Sequence, residues 1–199
     1  MSLRKSRIAL LRLSFLPLLP IALFVGRTWS DSSWADYALD WGGYLLILAG
    51  VLIRFWATLY IGARKSVQLV EEGPYSLCRN PLYLGTLVIV VGVALCLESV
   101  VLLLALLLFY VPLHLLVVRD EERRLAQRFG EPYARYCAAV SRFWPSWAHF
   151  RSSATLAVSL RAIRRGAIEL VCVLLIPPLA DLVEHLHHLG LLPVLWRPF

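Results

Sequence analysis

Residues 100–118 read VVLLLALLLFYVPLHLLVV, nineteen positions without an acidic side chain, a lysine or an arginine. A hydrocarbon layer about 30 Å thick is crossed by roughly 20 apolar residues in a helix, so this stretch alone predicts a membrane span. Lipid offers no partners to backbone N–H and C=O groups, which leaves helices and closed barrels as the structures that cross it. Apolar runs of this length select helices. The same reading applies to residues 8–26, 39–61 and the shorter run 83–97. A last apolar stretch, 167–195, is broken by Pro177 and Pro178; it either crosses or re-enters, and a crossing is expected. Composition agrees: 59% of the chain is hydrophobic and 17% charged, whereas soluble domains lie near half and a quarter. The expected class is all-α, a polytopic integral membrane protein with about five transmembrane helices.

The formal charge of +7 is uneven, with ten of the twenty basic residues between positions 119 and 165. Basic clusters beside apolar runs mark the cytosolic side and the anionic headgroups there. No nucleic-acid motif accompanies the cluster, and no nucleic-acid partner is expected. Arg4, Lys5 and Arg7 precede the first apolar run and hold the N-terminus in the cytosol. A cleaved signal is the rival reading, but Arg12, Pro17 and Pro20 interrupt the run and no A-x-A site follows. Trp29, Trp34 and Tyr37 form an interfacial aromatic group. Gly43 and Gly50, seven apart, permit close helix approach. Residues 1–150 then form a membrane core of four helices, with loop 62–82 and a charged, amphipathic helix 119–147 on the cytosolic side. Residues 151–199 add an amphipathic segment and a C-terminal apolar helix.

Several polar groups need weighing. Cys78, Cys96, Cys137 and Cys172 lack metal spacing and read as free thiols. Glu184 with His188 and Asp181 with His185 are i,i+4 pairs, and His187 lies beside them, yet without a further motif they read as a solvated helix end, and no metal is expected. His114 reads as a packed histidine. Arg54 is a charge inside an apolar run, either functional or snorkelling to the interface. Two polar segments stand out beside the 83–118 hairpin: GPYSLCRNPLYLG at 73–85, and RDEERRLAQRFGEPYARYCAAVSRFWP at 119–145.

Together these segments resemble the isoprenylcysteine carboxyl methyltransferase family, whose pattern runs G-P-Y-x-x-x-R-H-P-x-Y-x-G and, after a hairpin, E-E-x-x-L-x-x-x-F-G-x-x-Y-x-x-Y, then an arginine and a proline. The matching residues are Gly73, Pro74, Tyr75, Arg79, Pro81, Tyr83 and Gly85, followed by Glu121, Glu122, Leu125, Phe129, Gly130, Tyr133, Tyr136, Arg142 and Pro145. The family's histidine is Asn80 here; an amide donates hydrogen bonds but does not carry a proton as imidazole does. The resemblance implies a membrane-integral, bacterial-type methyltransferase that moves a methyl group from S-adenosylmethionine to a lipophilic acceptor. The acceptor would be a prenylcysteine-like carboxylate or another lipid-like molecule, with a phospholipid or small thiol as the alternative. A non-catalytic scaffold or binding protein retaining the fold is the competing class.

The resemblance also implies a cytosolic cofactor site in a bacterial inner membrane. Gly73, Pro74, Tyr75, Arg79, Asn80, Pro81, Tyr83, Gly85, Glu121 and Glu122 would line it. Tyr75 and Tyr83 would face the adenine or the sulfonium, Arg79 would fork onto the carboxylate, and the glutamates would take ribose hydroxyls or the ammonium. Arg142 or Arg54 would orient a carboxylate acceptor, and Glu122 would serve as base toward an amine or thiol. Membrane lipids and the acceptor are the expected partners; the oligomeric state is open.

Overall fold

The computed structural model describes residues 34–62, 68–98, 100–156 and 158–193. Among them every regular element is helical. Helix α1 is Trp34–Ile61, the short α2 is Pro74–Leu77, and α3 is Pro81–Cys96. Helix α4, Val100–Ala105, runs through a π turn, Leu106–Tyr110, into α5, Val111–Phe129. Helix α6 is Glu131–Ala139, a 3-10 turn covers Trp147–His149, and α7 (Leu160–Leu174) precedes α8 (Ile176–His188).

Among the described residues three helical stretches are long and apolar enough to cross a bilayer: Tyr37–Ile61, Leu103–Phe129 and Leu160–His187, with mean hydropathies of 1.9, 1.9 and 2.0. Helix α3 has 16 residues, a rise of about 24 Å, short of a full hydrocarbon layer. The expected first span, 8–26, lies outside the described residues, as do Trp29 and the basic groups Arg64 and Lys65. Leu108 and Phe109 are two-thirds exposed, at 67% and 68%. A soluble monomer does not leave such a run of large apolar side chains bare; lipid is the medium that suits them.

The chain divides into two compact units. The first comprises Met1–Leu48, Ile89–Val117 and Leu174–Phe199. Its core gathers Val90, Ala94, Leu106 and Tyr110. Gly43 and Gly92 face each other so closely that a Cβ on Gly43 would lie 2.8 Å from the Gly92 carbonyl oxygen, and one on Gly92 2.7 Å from that of Gly43. Backbones that approach this closely need small residues at the crossing. The π turn has a local cause. Pro112 has no N–H, and its ring would strike the carbonyl four residues back; widening the turn, with Val111 N–H donating to the Leu106 carbonyl, absorbs that conflict. His114 is buried, its ring 5.2 Å from that of Tyr110.

The second unit comprises Ala49–Val88 and Val118–Val173. It holds two apolar clusters, Ala57, Tyr60, Val70 and Tyr75 in one and Tyr133, Tyr136 and Val140 in the other. The charged segment 119–147, expected as one helix, is two. Helix α5 continues unbroken from the apolar run to Phe129, where Gly130 at φ +56 and Pro132 at the start of α6 end one helix and begin the next. A residue at positive φ followed by proline is a stop-and-restart signal. Gly73 and Pro74 use the same device at the head of α2.

Candidate active site

Every residue singled out between 73 and 85, together with Glu121, Glu122, Arg142 and Arg54, lies in the second unit. Glu122, buried on α5, is the hub. Its Oε1 accepts a hydrogen bond from Asn80 Nδ2 at 2.9 Å and pairs with Arg79 Nε at 3.4 Å. Its Oε2 accepts from Arg142 Nε at 2.9 Å and Nη2 at 2.7 Å. That hydrogen bond to Glu122 is the leading cause that holds Arg142 more firmly protonated than an ordinary arginine. Asn80 Nδ2 also reaches the Arg142 carbonyl, 3.3 Å away. The amide therefore gives Glu122 an N–H at the position where the family pattern has a histidine.

Arg79 is spent on the backbone. Its Nη1 donates to the carbonyls of Cys137 at 2.8 Å and Val140 at 3.2 Å, and its own N–H donates to Ser141 O at 2.8 Å. The last carbonyls of a helix lack intrahelical donors, and Arg79 supplies two of them for α6. Its placement binds α6 to the 73–85 segment; the cation is not presented to open space.

A second cluster lies beside the first. Tyr83 donates to Glu121 Oε2 at 2.6 Å. The Tyr75 hydroxyl is buried and has no hydrogen-bond partner among the described residues. Burial, then the nearby Glu121 carboxylate, raises the Tyr75 ionisation well above the ordinary phenol. Tyr75 therefore stays a phenol, with a donor that nothing among the described residues satisfies. Its carbonyl is anchored by Tyr136, whose hydroxyl donates to it at 2.7 Å.

Pro74 and Pro81 start α2 and α3, and the Asn80 carbonyl accepts from Leu84 N–H at 2.9 Å to open α3. Gly73 sits at φ +59, and a Cβ there would lie 2.4 Å from the Tyr60 ring. Gly85 packs against α1: a Cβ there would lie 2.7 Å from the Gly50 carbonyl oxygen and 2.6 Å from Arg54 Cγ. The buried Cys78 thiol is pushed up to about 11 by desolvation. It is an inert filler and not a nucleophile.

Arg54 belongs to a separate arrangement. Its Nε and Nη2 bind the Glu169 carboxylate on α7, and its Nη1 bonds the Thr86 hydroxyl and the Leu82 carbonyl, the last at 3.2 Å. No hydrogen bond links it to the Glu122 cluster among the described residues. Glu169 was not singled out from the sequence, although a lone acid within an apolar run is itself a signal. Gly166 and Gly62 seat α7 against α1: a Cβ on Gly166 would lie 2.7 Å from the Phe55 ring, and one on Gly62 2.3 Å from Ala162 Cβ.

The model of the family described as "Phospholipid methyltransferase" matches residues 39–132, which contain the first motif and the Glu121–Glu122 pair. The nickel-cobalt-cadmium resistance protein NccN of Alcaligenes xylosoxydans xylosoxydans is 34% identical over 173 residues, covering 87% of this chain and 81% of its own. The cobalt-zinc-cadmium resistance protein CzcN of Cupriavidus metallidurans is 31% identical over 171 residues, covering 86% and 79%. No solved structure matches the chain.

Proposed function

Because the chain belongs to the phospholipid methyltransferase family of membrane methyltransferases, we propose that it methylates a lipophilic acceptor with S-adenosylmethionine as donor. The cofactor site would face the cytosol of a bacterial inner membrane, with 8–26 and 167–195 completing five spans. The observation that carries the reading is the Tyr75 phenol, without a partner among the described residues and next to Glu121 and Tyr83. A buried donor without an acceptor costs about 1–3 kcal/mol, and a bound polar ligand removes that cost. The donor set fits. Glu121 suits an ammonium or ribose hydroxyls, Tyr75 gives a hydrogen bond, and the two tyrosine rings offer faces to adenine or a sulfonium, worth about 0.5–2 kcal/mol for the cation. When bound, S-adenosylmethionine supplies a methyl group on a positively charged sulfur, which departs as a neutral thioether.

The rest is alignment and exclusion of water. Gly73, Pro74, Pro81 and Gly85 fix the wall; Arg79 holds it to the end of α6, and Asn80 ties it to Glu122 on α5, which also binds Arg142. Arg54 and Arg142 already pair with Glu169 and Glu122. A carboxylate acceptor would have to displace one of those acids to be oriented by either arginine. This favours an acceptor whose reacting group is not itself anionic, such as an amine of a phospholipid or a thiol, with Glu122 as base after giving up one of its donors. The two relatives' names suggest the setting, resistance to divalent cations, in which the methylated product would be a membrane component.

The test is a transfer assay. Membranes containing the full chain, incubated with methyl-labelled S-adenosylmethionine and a lipid and protein extract, are expected to place label in the lipid-soluble fraction. Label no higher than in membranes without the chain would favour the non-catalytic scaffold, the reading to which the Asn80 departure points.

A further inference from the structure

Arg79 and Arg142 are consumed within the protein, but two other arginines nearby are not. Arg135 on α6 and Arg151 are both exposed, and their guanidinium groups make no hydrogen bond or ion pair among the described residues. Both line a half-open cavity of about 460 Å³, together with His149, Glu71, Ser76 and Tyr136. Its walls are rigid. Ser76 Oγ donates to Gly73 O at 2.6 Å and accepts from Arg151 N–H at 3.1 Å, and Gly73 N–H donates to Arg151 O at 2.7 Å. The backbone that carries Arg151 is thereby stitched to α2, and the buried Tyr136 is pinned through its bond to Tyr75 O at 2.7 Å. Two planar cations, an imidazole and a single acid in one lining suit a tetrahedral or planar oxyanion.

What stands at the lip indicates the ligand's other end. Phe150, between His149 and Arg151, has its ring 5.4 Å from that of Trp147 and 6.3 Å from that of Trp56 on α1. Trp147 is 69% exposed and Phe150 41%. An aromatic strip that leads from an apolar helix to a basic cleft matches the depth at which lipid headgroups lie.

We propose that this cleft binds a phosphate group, with Arg135 and Arg151 as its ligands and Glu71 as the group that limits affinity. The inference goes beyond the methyl-transfer reading and stands without it, since binding is measured in the absence of any methyl donor. The phosphate has two possible sources, a lipid headgroup or the free ion, which share the same chemistry at the arginines.

Titration of the detergent-purified full chain with dihexanoyl phosphatidic acid tests it, with inorganic phosphate as competitor. Saturable binding is expected, weakened at least tenfold in Arg135→Gln/Arg151→Gln and tightened roughly twofold to threefold in Glu71→Gln, where a repelling charge is removed. The gain in Glu71→Gln is a result that misfolding would not produce. Competition by millimolar inorganic phosphate identifies the phosphate group alone as sufficient. Binding without such competition assigns the cleft to a lipid headgroup. Affinity unchanged in the double arginine variant, or no binding of either probe, overturns the proposal.

Discussion

Replacing Glu122 with alanine is expected to destabilise the protein by about 3–5 kcal/mol and to abolish any methyl transfer, the range observed when one partner of a buried ion pair is removed. Both carboxylate oxygens are in use, by Asn80, Arg79 and Arg142. Deleting them strands the Arg79 guanidinium and the Asn80 amide, both largely shielded from water, and releases the half-exposed Arg142. The consequence spreads, because Arg79 holds the carbonyls of Cys137 and Val140 at the end of α6; once Arg79 loses its counter-charge, that clasp loosens. Glu122→Gln should cost less, since the amide oxygen still accepts from Asn80 or Arg142. In Glu122→Ala/Arg142→Ala the two losses should fall well short of additive, as they do for residues in one network. Thermal unfolding of the purified chain in detergent reads these differences. A loss below about 1 kcal/mol for Glu122→Ala would mean that the network is solvated and carries little.

Gly73→Ala comes next in size, at about 3 kcal/mol or more. Gly73 adopts φ +59 and ψ −130, a region open essentially to glycine, and a side chain there costs about 1–3 kcal/mol in backbone strain. A second term is steric: the new Cβ would lie 2.4 to 2.7 Å from three carbons of the Tyr60 ring, a ring held at its far end by Ser152 at 2.9 Å. Overpacking of this kind adds about 1–3 kcal/mol. Tyr60→Ala in the Gly73→Ala background should recover the steric part and leave the strain, so the double variant should be less damaged than the sum of the single ones. Unfolding midpoints of the four proteins check it; a wild-type midpoint for Gly73→Ala would contradict the placement of this turn.

The helical class was legible because apolar run length is a local property, and so were the boundaries of α3 and the break at Glu98, a residue at φ +45. The division of 119–147 into two helices was missed, although Gly130 and Pro132 mark it in the sequence. Helix α2 escaped notice because four residues carry no periodicity. What the sequence could not convey was where each charge is spent. Arg79 has the look of a ligand fork, and its bonds to carbonyls some 60 residues away depend wholly on the tertiary fold. Arg54 and Glu169, 115 positions apart, each break an apolar run, but only the fold shows that they answer each other. Tyr75 is the reverse case: the motif marked it, and only the fold shows that its hydroxyl is buried with no partner among the described residues.

That hydroxyl offers the most direct test. Tyr75→Phe removes a hydroxyl that bonds to nothing among the described residues, so its unfolding midpoint should equal or exceed that of wild type. Titration with S-adenosylhomocysteine, followed calorimetrically on the full chain, should show binding to wild type and a fivefold to tenfold loss in Tyr75→Phe, about 1–1.4 kcal/mol. Equal affinities in the two proteins, or no binding to wild type at millimolar ligand, would contradict a cofactor pocket walled by residues 73–85 and Glu121.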